Sequence, residues 1–249
     1  MTQRIATWPR DVPYLTKKQI EKEAALLLDE YAGRHGHIAG PPIPIDEIVE
    51  LHLGLTLEVK DMRGLFRFGD VHGALWMEQK VVGIDRSLDP AVHPNKRGRY
   101  HFTLAHEAGH WRLHRRYYVD DPYQGEFFGD DMPVPAYVCR SIDAKKPVEW
   151  QADYFAAAVL MPRPMVRAAW ESWCKTASPM SLDRLRTHTD ERLIGDMRAS
   201  GMDEHAVDET LMEEFCRPLA GMFQVSAQAM RIRLEEIELL TREEAKTLF

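Results

Sequence analysis

Five consecutive residues constrain this chain more than any other feature, and they are His106-Glu107-Ala108-Gly109-His110. The flanking residues predict a helix over about residues 100–115. Two histidines four residues apart lie one above the other on a helix, since a turn takes about 3.6 residues. Both imidazoles can then bind one metal ion, with Glu107 beside the ion's open position. Because that glutamate can take a proton from a metal-activated water, the pattern favours hydrolytic chemistry.

A catalytic zinc site usually has three protein ligands, so the two histidines need a third. The helix predicted from about Val148 to Met161 carries Glu149 and Asp153 on one face. By analogy with zinc peptidases that use two histidines and a glutamate, we expect Glu149 to complete the ligand set. Asp153 would accept the free ring N–H of His106 and fix its tautomer. The alternative is that both acids are ordinary solvated residues of an exposed helix face.

His114 is the rival third ligand, four residues after His110. On an unbroken helix, His106, His110 and His114 spread over about 12 Å of axis, which one ion cannot easily span. A third histidine ligand in this position needs a glycine that ends the helix before it, and Trp111-Arg112-Leu113 contains none. We therefore expect His114 to cap or pack near the end of the helix.

The elements predicted before the metal-binding helix mix helix and strand. Residues 16–33 are expected to form an amphipathic helix that begins after an N-cap at Thr16 and stops at Gly33. A short helix over about residues 45–53 follows. Alternating apolar and polar residues or short apolar runs then predict three strands, near residues 55–59, 74–77 and 81–84.

Beyond the metal-binding helix, the chain is predicted to be mostly helical. Residues 117–147, rich in proline, glycine and acids, are expected to be irregular, and most of residues 165–249 helical. Breaks are expected near Pro179, Gly201 and Pro218. The fold class is therefore α+β, with a small early sheet packed on the His-Glu-x-x-His helix and a mostly helical C-terminal part.

Composition argues against several functional classes. The net charge of −7 disfavours a nucleic-acid-binding surface. No window approaches the roughly 18 uninterrupted apolar residues of a membrane span, and the first residues lack the pattern of a signal peptide. Three widely spaced cysteines indicate a reducing compartment rather than a disulfide framework. We predict a cytoplasmic protein with no membrane partner and no direct nucleic-acid contact.

Three stretches of the chain resemble the ImmA/IrrE family of metallo-endopeptidases. They are Phe102–His114, Glu149–Pro162 and Leu219–Leu234. The resemblance implies a zincin-like fold that binds zinc, with manganese as the alternative metal. By position, His106, His110 and Glu149 match the family's metal ligands. Glu107 matches its catalytic glutamate.

The resemblance also implies an activity and a partner. The implied activity is cleavage of a helix-turn-helix transcriptional repressor, which derepresses stress or mobile-element genes. The alternative is a non-catalytic, metal-dependent regulator that binds the repressor. The long loop before Glu149 and residues 185–215 depart from the family pattern. We expect an N-terminal helical segment (residues 1–40), a zincin-like metallopeptidase domain (41–175) and a helical, helix-turn-helix-like C-terminal region (176–249).

Peptide hydrolysis also needs a donor for the developing oxyanion, and a place for the substrate. Tyr154 is the first candidate donor, with Tyr118 and His101 as alternatives. We expect the substrate to bind extended, by strand addition, with residues 74–77 as the edge strand. A helix opening at Ser226 resembles a DNA-recognition helix, but the acids that follow it favour packing or repressor docking.

Overall fold

The structure is a computed structural model, and it describes residues 12–66, 71–117, 137–140 (backbone alone) and 147–242. The chain divides into two compact units, Met1–Pro162 and Arg163–Phe249. Helices and strands occur in both units, so the predicted α+β class is confirmed. The first unit contains the four-stranded sheet and both helices of the candidate metal site.

Helix α1 spans Lys17–His35 and begins as predicted. The Thr16 hydroxyl accepts from the Gln19 backbone N–H at 3.3 Å, and the Gln19 side chain accepts from the Thr16 N–H at 2.9 Å. The predicted stop at Gly33 is wrong, because the helix continues to His35 and ends at Gly36. There the backbone takes a φ of 116°, which glycine adopts at far lower cost than other residues.

The sheet is assembled from four strands that are not in chain order. In sequence, the elements are α2 (Ile45–Glu47), a π-helical turn (Ile48–His52), β1 (Thr56–Lys60), α3 (Met62–Leu65), β2 (Val71–Trp76), β3 (Val81–Asp85) and β4 (Tyr137–Arg140). The order across the sheet is β1-β3-β2-β4. Strand β1 runs parallel to β3, and the other two pairings are antiparallel. The three predicted strands are confirmed.

Two expectations about this sheet are wrong. Strand β4 lies inside residues 117–147, which were expected to be irregular, because pairing with β2 can order a segment that has no strong strand pattern of its own. Residues 74–77 were expected to form an edge, but β2 is paired on both sides. Among the described residues, the edges of this sheet are β1 and β4.

Helices α4 (Arg97–Gly109) and α5 (Pro147–Leu160) pack closely against each other in the first unit. Gly109 lies at their contact: a Cβ there would stand 3.2 Å from Ala152 Cα and 3.2 Å from a ring carbon of Phe155. The missing side chain lets the two backbones approach. After Gly109, α4 continues as a π-helical turn, His110–His114. Each helix of this pair has a further neighbour: α1 packs on α5, and β2 packs on α4.

The second unit is largely helical. Its elements are α6 (Arg163–Cys174), β5 (Met180–Ser181), α7 (Leu182–His188), α8 (Glu191–Ala199), α9 (Glu204–Phe223), α10 (Ala227–Glu236) and β6 (Leu240–Thr241). The breaks predicted near Pro179 and Gly201 are confirmed. The break at Pro218 is wrong, because α9 runs through it. A proline removes one N–H donor, whereas burial of Cys216 and Leu219 on either side holds the helix in place.

The arginines of α10 face inward. Arg231 is 5% exposed and forms ion pairs with Glu209, Glu213 and Glu235, and Arg233 is also buried. The basic residues that resemble a recognition helix therefore do not form an exposed basic surface. Across the described part of the chain, no helix combines the length and apolarity needed to cross a membrane.

The end of α1 gives a matched test of helix termination. Gly33 lies within the helix, and a Cβ there would meet nothing within 4 Å. We predict that Gly33→Ala raises the free energy of unfolding by about 0.5–1 kcal/mol. Gly36→Ala should lower it by about 1–3 kcal/mol, because alanine is strained at a φ of 116°. Urea unfolding followed by circular dichroism measures both changes, and equal effects at the two glycines would contradict the observed helix end.

Candidate metal centre

Helices α4 and α5 together supply three ligand atoms that face one another. The Nε2 atoms of His106 and His110 lie 2.9 Å apart, and Glu149 Oε2 lies 3.1 Å from His106 Nε2. Glu149 Oε1 lies 3.6 Å from His110 Nε2. All three side chains are buried, and their ligand atoms lie within 4.8 Å of one another. The structure thus brings the three sequence-predicted ligands into a group that could hold a metal ion.

The chemistry of this group fits a cation. Asp153, the expected partner of His106, places Oδ1 2.8 Å from the Nδ1 atom of that ring. With the ring proton directed at Asp153, the Nε2 lone pair of His106 points toward His110 and Glu149. Among the described residues, Glu149 Oε1 has no hydrogen-bond partner. Two ring nitrogens and a buried carboxylate at these distances repel one another unless a metal ion or a proton lies between them.

Burial and neighbouring charge set the protonation of these ligands. Burial favours the neutral form of Glu149, but His110 and His106 outweigh it and hold the pKa of the carboxyl below its usual range. Burial lowers the pKa of His110, although Glu149 opposes the shift. A carboxylate and neutral imidazoles are the forms that bind metal ions.

Glu107 lies beside the ligand group and is wholly buried. Neither of its carboxyl oxygens has a hydrogen-bond partner among the described residues. Burial raises its pKa to about 8; nearby Glu149 adds to the shift and His106 opposes it. A buried carboxyl without a partner costs free energy, so its position requires a reason other than stability.

Gly73 of strand β2 lies against the Glu107 carboxyl. A Cβ on Gly73 would stand 2.7 Å from Glu107 Oε1 and 2.7 Å from Thr103 Cγ2. The sequence analysis missed Gly73 as a functional residue. Gly73 precedes the strand predicted near residues 74–77, whereas β2 begins at Val71. A glycine inside a strand is a signal of close backbone approach, and an earlier strand start would have drawn attention to it.

His114, the rival ligand, lies outside the three-residue group but is also buried. Its Nδ1 atom lies 3.1 Å from His110 Nδ1, and its Nε2 atom lies 3.2 Å from Gln151 Oε1. Burial, with nearby His110, lowers the pKa of His114 to about 3, so the ring is neutral. His114 contacts the candidate ligand His110 rather than joining the ligand group, and its neighbour Gln151 was not predicted from the sequence.

Two of the three candidate oxyanion donors, Tyr154 and His101, lie near other groups. The Tyr154 hydroxyl donates to Glu21 Oε1 on α1 at 3.1 Å. His101 is buried, with Nε2 4.0 Å from Asp46 Oδ2. Tyr118 lies outside the described residues. The assignment of an oxyanion donor therefore stays a prediction.

No protein-family model matches this chain, and no curated protein sequence matches it. Two histidines and a glutamate are typical of hydrolytic zinc sites, in which a fourth coordination position is left for water.

We predict that the protein binds one zinc ion per chain and that Glu149→Ala weakens this binding at least about 100-fold, because a direct ligand is lost. Competition with a chromogenic chelator measures the affinity. The control is Glu171→Ala on α6, where an exposed glutamate is removed, and it should bind zinc like the native protein. Native affinity in Glu149→Ala would exclude Glu149 as a ligand.

Proposed function

We propose that this protein is a zinc-dependent endopeptidase, with manganese as the alternative metal. One observation carries the proposal: Glu107 is wholly buried beside the ligand group, with no hydrogen-bond partner for either oxygen among the described residues. A structural metal site has no use for such an acid. Hydrolysis does, since it needs a general base next to the nucleophilic water.

The geometry supports a division of roles among the residues of the site. When bound, zinc would acidify a water molecule and polarise the scissile carbonyl, and its charge would favour the ionised, proton-accepting form of Glu107, whose pKa burial raises to about 8. Glu107 takes the proton from the attacking water and later gives it to the leaving amine. Asp153 holds the ring of His106 through Nδ1, at 2.8 Å. The backbone of Gly73 confines the Glu107 carboxyl on the side of β2.

The substrate class follows from the resemblance of the chain to the ImmA/IrrE family. We infer that the substrate is a helix-turn-helix repressor, that its cleavage derepresses stress or mobile-element genes, and that the protein acts in the cytoplasm. Two features of the first unit support a zincin-like fold. The sheet packs on α4 through β2, and the glutamate of the ligand group is on the next helix, α5. The inward-facing Arg231 supports the absence of direct DNA contact.

The proposal predicts separate effects on metal binding and on cleavage. Zinc-loaded native protein is incubated with purified candidate helix-turn-helix repressors, and we expect discrete fragments of one of them that a chelator abolishes. Glu107→Gln should retain zinc but cleave at least about 100-fold more slowly, because the general base is lost. Gel electrophoresis follows the fragments, and the metal content is measured in parallel.

Two outcomes would count against the proposal. Cleavage at the native rate by Glu107→Gln would remove that residue from the mechanism. A stable complex without fragments, formed by the zinc-loaded native protein, would establish the alternative of a non-catalytic regulator.

A second prediction concerns the glycine that covers Glu107. Gly73→Ala places a methyl group 2.7 Å from Glu107 Oε1, so the carboxyl has to move. We expect cleavage to fall about 10-fold or more while zinc remains bound, since misplacement of a catalytic group by about 1 Å can cost about 100-fold. The matched control is Gly40→Ala, where a Cβ meets nothing within 4 Å. Equal cleavage rates in the two variants would contradict the assigned role of β2.

A further inference from the structure

A chain of three hydrogen-bonded contacts leads from the segment before α1 to the metal ligand His110. Gln151 Nε2 donates to the carbonyl oxygen of Pro13 at 3.2 Å. Gln151 Oε1 lies 3.2 Å from His114 Nε2, and His114 Nδ1 lies 3.1 Å from His110 Nδ1. The side chains of His110, His114 and Gln151 are all fully buried. None of these contacts involves the ligand atom of His110, which is Nε2.

The Pro13 carbonyl determines which group donates and which accepts in each of these three contacts. A carbonyl can only accept, so the amide nitrogen of Gln151 faces Pro13 and the amide oxygen faces His114. His114 Nε2 must then carry the ring hydrogen. Because a neutral imidazole has one hydrogen, His114 Nδ1 is an acceptor, and His110 Nδ1 donates to it. Nε2 of His110 consequently presents its lone pair to the ligand group.

We propose that Gln151 and His114 are positioning residues that hold His110 in the Nδ1–H tautomer, the form whose Nε2 atom binds the metal. The proposal rests on the metal-binding part of the proposed function. The competing tautomer would carry a hydrogen on Nε2, which lies 2.9 Å from His106 Nε2 and could donate to it in the metal-free protein. The contacts through His114 and Gln151 therefore oppose a tautomer that would block metal binding.

The residues that follow Pro13 are held in place, so its carbonyl can serve as the anchor. The ring of Tyr14 stacks on that of Trp150 in α5, with centroids 5.7 Å apart and planes within 5°. Two residues further on, Thr16 caps the start of α1. The segment of residues 12–16 is thus held against α5 at the position where Gln151 reaches it.

The test compares Gln151→Met with Gln79→Met, a matched change at an exposed turn residue. Long-range ¹H–¹⁵N spectra of the metal-free protein report the tautomer of His110, and chelator competition reports zinc affinity. We expect His110 to be Nδ1–H in the native protein and in Gln79→Met. In Gln151→Met the Nε2–H form should gain population, and zinc affinity should fall about 10- to 100-fold. An unchanged His110 tautomer in Gln151→Met overturns the proposal.

Two substitutions of His114 separate hydrogen bonding from packing. In His114→Asn the side-chain oxygen can replace Nδ1 as the acceptor for His110, so zinc affinity should stay within several-fold of native. His114→Leu has no acceptor and should lose the same 10- to 100-fold as Gln151→Met, by roughly the magnitude typical of residues that orient metal ligands. Equal losses in the two variants would assign the effect to packing and overturn the proposal.

The His110 tautomer and the cleavage of the repressor are measured in separate experiments, so the two proposals can fail independently. A native protein that binds zinc with His110 as Nδ1–H, yet leaves the repressor intact, would support the positioning role and overturn the endopeptidase proposal.

Discussion

The close packing of α4 on α5 is the contact on which the rest of the site depends. His106 and Glu149 are 43 positions apart in the sequence, and their side chains meet at 3.1 Å because Gly109 has no side chain where the two helices touch. Any larger residue there would push α5 outward and with it the carboxylate. Neighbouring elements reinforce this pair from two sides, since α1 packs on α5 and β2 packs on α4.

The price of this arrangement is electrostatic. Glu107 and Glu149 are two buried carboxyl groups in one site. Among the described residues, three of their four oxygens have no hydrogen-bond partner, and the fourth, Glu149 Oε2, contacts His106 Nε2. Such a site opposes folding while it lacks a counterion, because the Glu149 carboxylate loses its hydration and the Glu107 carboxyl loses its hydrogen bonds to water. A cation bound at the ligand group would offset that cost, so metal binding would be thermodynamically coupled to folding of the first unit.

The sequence carries the parts of the site that follow from helical periodicity. The spacing of the histidine pair, and of Glu149 with Asp153, is local information, and so is the capped start of α1. The features that could not be predicted from the sequence depend on residues far away in the chain. Gly33 resembles a helix stop, yet α1 continues to His35, whose ring contacts those of Tyr31 and His52. Likewise, β4 is a strand because β2 lies beside it. The contacts of Gln151 with His114 and Pro13 form only when α5 packs against both the His110–His114 turn and the segment before α1.

The chain of contacts from Pro13 to His110 ends at a backbone carbonyl, and this has a consequence for control. A side-chain substitution at Pro13 leaves a carbonyl in place, so the contribution of this group to His110 depends on where residues 12–16 lie. Linkage is reciprocal: if docking of this segment tightens metal binding by some factor, metal binding tightens the docking by the same factor. Residues 12–16 would then act at a distance on the site. A molecule that pulled this segment away from α5 would weaken metal binding without contacting the metal.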